Sequence, residues 1–319
     1  MYSPKSAYFS RISGTGGYLP ETIVTNADLE KRLDTTDQWI VDRTGIKQRH
    51  IVNASETCST MAILAARQAI EAAQASADEI DMIVVATCTP DAVFPSTACV
   101  VQGALGVPPG IAFDVQAACS GFMYALYLAD NAIRLGSVKK ALVIGSEVMS
   151  KGVDWQDRKT CVLFGDGAGA VLLEASVGPG ILSTSLGADG REKEILSWGN
   201  QPGDFIHMEG SKVFKLAVHK LQAITEDALK LQGLLGSDLD WMVPHQANIR
   251  IIQATADKLG MSMDKVIITL DTQGNTSAAS IPLALNSGIR DGRIKKGQLI
   301  LLEAFGAGLS WGTALIRMV

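Results

Sequence analysis

The stretch that begins Phe113-Asp-Val-Gln-Ala-Ala-Cys119 indicates the fold class, because its pattern predicts a strand, a turn and a helix in succession. An apolar run ends just before the cysteine, and the amphipathic run that starts at Met123 predicts a helix. That helix closes at Leu135-Gly-Ser-Val-Lys-Lys140, where a glycine and two lysines indicate a C-terminus. The apolar residues 141–145 then predict a second strand. The whole segment is typical of an α/β protein.

The same plan returns in the second part of the chain. Leu270-Asp-Thr-Gln-Gly-Asn275 precedes a helix that closes at Asp291-Gly-Arg-Ile-Lys-Lys296, and Gln298-Leu-Ile-Leu-Leu302 predicts the strand that follows. When the two Gly-x-x-Lys-Lys turns are aligned without gaps, Cys119 falls opposite Asn275. The repeat alone therefore predicts that these two residues are paired across a pseudo-twofold axis.

One shared turn can arise by chance in any α/β protein, but the preceding elements also agree in order. Each half has a helix, an apolar strand and a second helix that closes on Leu-Gly: residues 58–75, 81–86 and the helix ending at Leu105-Gly106, then residues 212–231, 240–243 and the helix ending at Leu259-Gly260. We therefore predict a duplicated fold with mixed or parallel sheets and helices on their faces. Gly178-Pro-Gly180 is the natural break, which predicts halves at residues 1–178 and 179–319.

The composition is typical of a protein with a large folded core, and the cysteine content indicates a reducing compartment. The chain has 319 residues, of which 47% are hydrophobic and 19% charged. Its five cysteines are an odd set without a CxxC pair, which favours neither a disulfide framework nor a zinc site. The N-terminal stretch lacks a continuous apolar region, and no apolar run approaches the roughly 18 residues that span a bilayer. We expect a cytoplasmic protein without membrane contact.

The charge and the glycine motifs exclude several ligand classes. A net charge of -5 argues against general nucleic-acid binding, so an anionic ligand would need a local basic patch. Gly14-Thr-Gly-Gly and Gly165-Asp-Gly-Ala-Gly lack the spacing of phosphate-binding loops and are interpreted as turns that allow close packing. The four histidines have no metal-ligand spacing, so no metal and no redox cofactor is predicted.

Cys119 is the candidate nucleophile. It lies where a strand gives way to a helix, and a helix N-terminus favours the thiolate form of a cysteine. The small neighbours Ala117, Ala118, Ser120 and Gly121 would let a substrate approach closely. The alternative is a buried cysteine that serves only as a small apolar side chain.

His245 and Asn275 are the candidate partners of that thiol. Each one follows an apolar strand or precedes a helix in the second half, and active sites of sheet proteins gather at such strand ends. A structural histidine and a helix-capping asparagine are the alternatives. An uncharged donor beside a histidine suits an oxyanion that develops on a thioester carbonyl better than a carboxylate would.

Around these residues the chain closely resembles 3-oxoacyl-[acyl-carrier-protein] synthase III, the family that initiates bacterial type II fatty-acid synthesis. The resemblance runs from Thr36-Asp-Gln-Trp-Ile-Val-Asp-Arg-Thr-Gly-Ile46 through Gly165-Asp-Gly-Ala-Gly to Glu303-Ala-Phe-Gly-Ala-Gly-Leu-Ser-Trp-Gly312. It implies the α/β thiolase fold, with two pseudo-symmetric halves in a five-layered αβαβα arrangement, and a homodimer. It also implies an acyltransferase that condenses an acyl-CoA primer, expected to be acetyl-CoA, with malonyl-acyl carrier protein.

The resemblance assigns roles to individual residues. Cys119 would carry the acyl group, His245 and Asn275 would stabilise the enolate formed on decarboxylation, and the backbone N–H groups of Cys119 and Ala307 would hold the acyl oxygen. Trp39, Arg43 and Arg158 would bind the nucleotide end of CoA. The pantetheine channel would be lined by Gly210, Phe214, Ala247 and Asn248.

The remaining implied contacts concern the carrier protein and the acyl group. Arg250, Lys215 and Lys258 would face the acidic carrier protein. Phe94, from the partner subunit, would close an acyl pocket lined by Leu163 and Phe164. Two departures from the family pattern stand out. Ala307 replaces a usual glycine, which would add strain if its φ were positive, and Asp257 replaces a common lysine.

Three other functions remain open from the sequence. A related ketosynthase that primes a polyketide or quinolone-type pathway would keep the same three residues and differ in its acyl pocket. A cysteine thioesterase or amidohydrolase would use Cys119 and His245 with water as the acceptor. A carrier-protein scaffold without activity would not need the nucleophile, which is present here.

Overall fold

The computed structural model describes residues 8–199, 201 and 203–319. Residues 1–7, part of the N-terminal stretch interpreted above, lie outside the described residues. The strands are β1 Phe9–Tyr18, β2 Thr22–Thr25, β3 Gln48–Ile51, β4 Met82–Ala86, β5 Ile111–Val115, β6 Lys140–Val148, β7 Asp166–Ser176, β8 Ile181–Ala188, β9 Leu196–Ser197, β10 His207–Met208, β11 Trp241–Pro244, β12 Leu299–Gly306 and β13 Ser310–Arg317.

The helices alternate with these strands, and short 3-10 turns precede several of them. They are α1 Asn26–Glu30, α2 Asp37–Thr44, α3 Cys58–Ala72, α4 Thr97–Leu105, α5 Gly121–Arg134, α6 Gly210–Leu231, α7 Ile249–Lys258, α8 Leu270–Gln273 and α9 Ser280–Arg290. Their ends follow the local sequence. The Thr57 side chain caps α3, and Gly106, with a φ of 70°, ends α4. Among the described residues, no helix is long and apolar enough to cross a membrane.

The first sheet has five strands in the order β1-β7-β6-β4-β5. β4 pairs in parallel with both β5 and β6, and β7 pairs antiparallel with β6 and β1. All five residues of β4 are apolar and buried, as expected of a central strand with helices on both faces. β5 forms the edge of this sheet, so one side of its backbone lacks a partner strand in the described part of the chain.

The second sheet has four strands in the order β11-β12-β13-β8. β11 pairs in parallel with β12, and the other pairs are antiparallel. In this register Pro244 lies beside Glu303. The residue after β11 is His245, whose main-chain N–H donates to the carbonyl of Glu303 at 2.8 Å. The sheet therefore fixes the main chain of the candidate histidine.

The two sheets enclose a central helix layer. α5 and α9 contact strands of both sheets, whereas α3 and α4 cover the outer face of the first sheet and α6 covers the second. The layers therefore follow the order helix, sheet, helix, sheet, helix, which is the predicted five-layered αβαβα arrangement. Gly178 to Gly180 lies between β7, in the first sheet, and β8, in the second.

The glycines of Gly14-Thr-Gly-Gly lie within β1, and Gly167 and Gly169 of Gly165-Asp-Gly-Ala-Gly lie within β7, so the interpretation of both motifs as turns is wrong. The contacts of Gly14 and Gly16 show what these glycines do. A Cβ on Gly14 would stand 2.2 Å from the carbonyl oxygen of Ala69, and one on Gly16 would stand 2.1 Å from that of Ala65. Both carbonyls belong to α3. The close packing expected of these glycines is present, but it joins a strand to a helix.

The repeat is correct in its elements but not in the pairing of Cys119 with Asn275. In each half a residue with positive φ opens a 3-10 turn that leads into the central helix: Ala118 at 45° before α5 and Ser277 at 51° before α9. The matching turns place Cys119 opposite Ala278. α5 has 14 residues and α9 has 11, while both end in the aligned turns. The gap-free alignment is therefore three residues out at the helix starts.

Candidate active site

A cavity of about 900 Å³ lies where strands of both sheets end. Most of the predicted site residues line it: Trp39, Arg43, Cys119, Leu163, Phe164, Gly210, Phe214, Lys215, His245, Ala247, Asn248, Arg250, Asn275 and Ala307. Arg158, Lys258 and Phe94 are not among the lining residues. The structure thus brings the three candidate catalytic side chains into one space although they come from distant parts of the chain.

Cys119 sits in the 3-10 turn between β5 and α5. Gly306, at the end of β12, has no room for a side chain here, because a Cβ would lie 2.8 Å from the main-chain nitrogen of Cys119. Burial raises the pKa of the Cys119 thiol to about 11, and a hydrogen bond with Ser277 acts in the opposite direction. Burial thus acts against the thiolate form that a helix N-terminus was expected to favour, and α5 itself begins two residues later, at Gly121.

His245 is held as a neutral imidazole. Its Nδ1 lies 2.6 Å from the hydroxyl of Ser280, the first residue of α9. The ring is buried, and this burial lowers its pKa to about 4. At neutral pH His245 therefore offers a hydrogen bond without a positive charge.

Asn275 is fixed by its main chain and by one side of its amide. Its N–H donates to the Leu163 carbonyl at 2.9 Å, and its carbonyl accepts from Gly165 at 3.0 Å. Oδ1 accepts from the main-chain N–H of Ser277 at 2.9 Å. Nδ2 has no hydrogen-bond partner in the described part of the chain. Because Oδ1 is occupied, the amide is oriented to present a donor to the cavity.

Ala307 follows β12 and lines the cavity beside Cys119. Its φ is not positive, since the described non-glycine residues with positive φ are Gln74, Ala118 and Ser277. The strain considered for an alanine at this position is therefore absent. Gly308, with a φ of 138°, provides the unusual backbone in this turn.

The exposed end of the cavity is positively charged. Its lining includes five exposed cations, which we call the cationic mouth: Arg43, Lys151, Lys159, Lys215 and Arg250. None of them forms an ion pair with any described residue. Glu303 is the acidic side chain among the described lining residues, and burial raises its pKa to about 8, so it is mostly neutral at pH 7. An acidic protein thus has a local basic patch at this opening.

Trp39 lines the cavity at the cationic mouth, and two arginine side chains contact its ring. The Arg43 guanidinium is 4.4 Å from its ring centroid and that of Arg158 is 5.1 Å away. Arg158 also forms an ion pair with Asp34 at 3.6 Å. Arg158 is therefore next to the cavity through Trp39, although it does not line it.

Asn248 lines the cavity and also connects two helices through its side-chain amide. Its Oδ1 caps α7 by accepting from Arg250 N–H at 2.9 Å, and its Nδ2 donates to the Arg43 carbonyl at 2.9 Å. Both polar atoms of the amide are thus engaged, and they join α2 to α7. Lys258 is exposed at the last turn of α7, away from the cavity.

The residues predicted to form the acyl pocket do not all lie at the cavity. Leu163 and Phe164 are buried and line the cavity. Phe94 is 83% exposed on a loop before α4 and does not reach the cavity of its own chain. A contact of Phe94 with an acyl group would need a second subunit.

The sequence did not point to several residues that shape the site. These are Glu147, Ser277, Ser280, Glu303 and Gly306, together with Lys151 and Lys159 of the cationic mouth. Ser277 and Ser280 occur in Asn275-Thr-Ser-Ala-Ala-Ser280, where helical spacing could have placed them near Asn275. Glu147 lies near the end of β6 and Gly306 is the last residue of β12, and only the packing of these strands against distant turns brings the two residues to the site.

Fold and site together define the class of the protein: it is a thiolase-fold enzyme. Models of the 3-oxoacyl-[acyl-carrier-protein] synthase III family match residues 113–190, and models of its C-terminal part match residues 229–318. The β-ketoacyl-[acyl-carrier-protein] synthase III of Thiobacillus denitrificans is 58% identical over 316 residues, covering 97% of this chain and 99% of the relative. The chain belongs to this family.

Solved structures agree with this assignment. The 3-oxoacyl-[acyl-carrier-protein] synthase III of Aquifex aeolicus superposes with a TM-score of 0.94 at 48% identity, covering 97% of this chain and 99% of that one. The priming β-ketosynthase of a polyketide biosynthetic pathway superposes with a TM-score of 0.95 at 36% identity, covering 100% and 98%. The sequence identity is greater to the 3-oxoacyl-[acyl-carrier-protein] synthase III than to the priming β-ketosynthase.

Proposed function

We propose that this initiating condensing enzyme of type II fatty-acid synthesis works through Cys119, His245 and Asn275. The enzyme joins an acyl-CoA primer to malonyl-acyl carrier protein and yields 3-oxoacyl-carrier protein, CO₂ and CoA. The observation that carries the residue assignment is that a thiol, a neutral imidazole and an oriented amide donor line one cavity. We take acetyl-CoA as the primer.

In the first half-reaction the sulfur of Cys119 attacks the thioester carbon of the primer. A carbon–sulfur bond to the enzyme forms, and the CoA sulfur leaves. The negative charge that develops on the acyl oxygen is held by the N–H groups of Cys119 and Ala307. Gly306 permits this arrangement, because it lets β12 approach the main chain of the cysteine turn.

In the second half-reaction the malonyl carbon–carbon bond breaks and releases CO₂. The electron pair passes to the thioester oxygen as an enolate, which accepts hydrogen bonds from His245 and Asn275. The enolate carbon then attacks the acyl carbonyl, and the Cys119 sulfur leaves. No metal or redox cofactor takes part, because the thioester itself accepts the electron pair.

We assign the imidazole proton of His245 to Nε2, and the contacts of Ser280 are compatible with this tautomer. The Gln246 N–H donates to Ser280 Oγ at 3.4 Å, so the hydroxyl hydrogen of Ser280 is available to Nδ1 of His245. Nε2 then carries the imidazole proton and donates to the substrate. The low pKa of the ring, about 4, keeps the imidazole uncharged at neutral pH.

The cationic mouth accounts for both substrates. CoA carries phosphates at one end, and Trp39 with Arg43 and Arg158 offers an aromatic face beside two guanidinium groups. Gly210, Phe214, Ala247 and Asn248 line the path of the pantetheine arm. Lys215 and Arg250, with Lys258 farther out, would attract an acidic carrier protein.

A homodimer would complete the acyl pocket. Val93 is 94% exposed, Phe94 is 83% exposed, and Val100 and Ile111 are also exposed on the helix and edge strand that follow. An apolar surface beside an unpaired edge strand favours association with another copy. Sedimentation should give a dimer for the wild type, and Phe94→Asp should shift it toward monomer. A wild-type monomer would contradict this assembly.

We also propose that residues 1–178 and 179–319 form the two halves of the molecule, and that the protein is cytoplasmic. The first sheet ends with β7 and the second begins, in sequence, with β8, on either side of Gly178-Pro-Gly180. Five free cysteines suit a reducing compartment.

The Cys119→Ser variant tests the assignment of the nucleophile. A hydroxyl in this buried turn is a much weaker nucleophile than a thiol, so acylation by radiolabelled acetyl-CoA and condensation should both be lost. Decarboxylation of malonyl-carrier protein should persist, because His245 and Asn275 remain. Condensation at the wild-type rate in this variant would show that another group carries the acyl chain.

A further inference from the structure

Ser120 and Ser310 are two buried serines that the mechanism above does not use. Ser120 is the last residue of the 3-10 turn that carries Cys119, and Ser310 is the first residue of β13. The exposed fraction is 0% for Ser120 and 6% for Ser310. Their hydroxyl oxygens lie 2.6 Å apart, which requires a hydrogen between them. The two side chains therefore form a hydrogen-bonded pair, which we call the serine pair.

The serine pair also reaches the main chain of two turns at the active site. Ser120 Oγ lies 2.8 Å from the carbonyl oxygen of Ala117, and Ser310 Oγ lies 3.0 Å from that of Ala307. Ser310 Oγ is also 3.3 Å from the Ala117 oxygen. The pair therefore spans from the turn that carries the thiol to the turn between β12 and β13.

The hydrogens of the serine pair allow two arrangements. Two hydroxyls supply two hydrogens, and one of these lies between the two oxygens. If Ser310 donates that hydrogen, the hydroxyl of Ser120 donates to Ala117. If Ser120 donates it, the hydroxyl of Ser310 donates to Ala307. Both arrangements keep the bond between the hydroxyls, and the loss of either hydroxyl removes it.

The two turns lie in close contact beside the serine pair. Gly306, at the end of β12, is the register partner of Ser310, and a Cβ on it would lie 2.8 Å from the nitrogen of Cys119. The turn that carries the thiol is itself strained, because Ala118 has a φ of 45°, which non-glycine residues rarely adopt. The serine pair is thus a side-chain bond that holds a strained turn against the end of β12.

We propose that Ser120 and Ser310 are positioning residues that fix the N–H groups of Cys119 and Ala307 relative to each other. Both N–H groups must point at one acyl oxygen when negative charge develops on it. This happens when the sulfur attacks the primer and again when the enolate attacks the acyl group. Neither serine lines the cavity, so the pair acts through the two turns. This role rests on the proposed acylation of Cys119 and on the proposed donors to the acyl oxygen.

The serine pair should act on acyl transfer and leave decarboxylation unchanged. His245 is held by the hydroxyl of Ser280, and the amide of Asn275 is oriented by the N–H of Ser277. Neither contact involves the serine pair. A change in the pair should therefore separate the two half-reactions.

Single-turnover acylation of Cys119 by acetyl-CoA, followed by intact mass, tests the proposal. At saturating acetyl-CoA the rate should fall about tenfold in Ser310→Ala and in Ser120→Ala, because a displaced donor costs less than a lost one. The half-saturating concentration should not change. The double variant should be no slower than the slower single variant, since either change alone breaks the shared bond. Ser310→Thr keeps the hydroxyl and should recover most of the rate.

Three controls separate positioning from a general loss of structure. Alkylation of Cys119 by iodoacetamide forms no oxyanion, so the variants should react at the wild-type rate. Decarboxylation of malonyl-carrier protein should remain within about twofold of wild type. The matched variant is Ser146→Ala, which removes another buried serine hydroxyl, one that donates to the Cys58 carbonyl at 2.7 Å. It should lower Tm as the loss of a buried hydrogen bond does, and keep the wild-type acylation rate.

Each outcome supports or overturns the proposal. Wild-type acylation in both single variants would overturn it, and so would equal losses of acylation, alkylation and decarboxylation, which would show a structural role. Losses that multiply in the double variant would show that the two hydroxyls act separately.

A second acyl donor separates this proposal from the proposed function. If acetyl-CoA never acylates the wild type, the proposed function is wrong, but transfer from p-nitrophenyl acetate to Cys119 forms the same oxyanion. The single variants should then show the same loss of about tenfold with this donor. If neither donor acylates Cys119, both proposals are wrong.

Discussion

The two ends of the active-site cavity are built in different ways. At the buried end, which we call the catalytic floor, Cys119, His245, Asn275 and Ser277 are each held by hydrogen bonds or close backbone packing. At the cationic mouth the side chains are exposed and form no ion pairs with described residues. Rigid groups can stabilise a transition state because they need no reorganisation, whereas mobile surface charges mainly attract and orient a substrate. Changes at the floor should therefore alter kcat, and changes at the mouth should alter KM.

The largest effect is expected when a donor is removed from the floor. His245→Ala or Asn275→Ala should lower condensation and decarboxylation by about 10²- to 10³-fold, as when an oxyanion-stabilising donor is lost. Acylation of Cys119 should be nearly unchanged, because neither side chain is assigned to that step. Separate assays of the two half-reactions check this. An equal loss of acylation would contradict the division of roles.

The pH dependence of the decarboxylation rate tests the neutral state assigned to His245. Because the pKa of His245 is lowered to about 4, the imidazole stays neutral from pH 5 to 8. The decarboxylation rate should be flat over this range and should fall only as the ring gains a proton at lower pH. A midpoint near 6.5 would mean that His245 is not buried as described.

The next largest effect is expected from a change in backbone packing at the catalytic floor. In Gly306→Ala the new Cβ would lie 2.8 Å from the nitrogen of Cys119, so the cysteine turn must move. We expect a loss of about 1–3 kcal/mol in stability and a lower acylation rate, since overpacking of this kind is costly. Ala307→Gly, one residue away, is the matched control and should change little. Thermal unfolding and single-turnover acylation measure both effects, and an unaffected Gly306→Ala enzyme would contradict the close approach.

A smaller effect is expected from the second buried carboxyl group. The pKa of Glu303 is raised to about 8 in the folded chain, and its Oε1 lacks a partner among the described residues. Between about pH 4.5 and 8 the unfolded chain loses this proton while the folded chain keeps it, so stability falls as pH rises. Glu303→Gln should remove this slope, so the variant should lose less stability than the wild type between pH 5 and pH 8. Denaturant unfolding at the two pH values tests this, and parallel curves would contradict it.

The smallest effects are expected at the cationic mouth. Lys151→Ala or Lys159→Ala should raise KM for acyl-CoA or carrier protein by a factor of about two to five, with kcat unchanged, because exposed charges are screened by water and salt. The difference from wild type should shrink at high ionic strength. Lys258→Ala, outside the cavity, serves as the control. A loss of kcat would place these lysines in the chemistry and erase the contrast between floor and mouth.

The sequence predicts most of the fold and part of the site. Periodic apolar runs and glycine turns give the positions of α3, α4, α5, β4 and β6, because these signals are local. The pairing of Cys119 with Asn275 is wrong by three residues, because α9 is three residues shorter than α5 and an alignment without gaps cannot allow for this difference. The three catalytic candidates themselves could be found from the sequence, since each lies at the end of a predicted strand or before a predicted helix.

The remaining site residues depend on long-range contacts. Glu147 reaches Ser277 only because β6 packs against the turn before α9. Gly306 reaches Cys119 only because β12 contacts the turn that carries the thiol. The pKa of Cys119 likewise depends on burial in the folded chain, which the local pattern of a strand followed by a helix does not contain. Such properties arise from packing and have no local sequence pattern.

The most direct test of the account is to incubate the purified protein with acetyl-CoA and malonyl-acyl carrier protein, and to measure the mass of the intact protein and the chain length of the product. We expect an acetyl adduct that maps to Cys119 and a four-carbon 3-oxoacyl-carrier protein. An adduct formed only from longer or branched acyl-CoAs would correct the primer. If no acyl-CoA labels Cys119, the central claim that this thiol carries the primer is wrong.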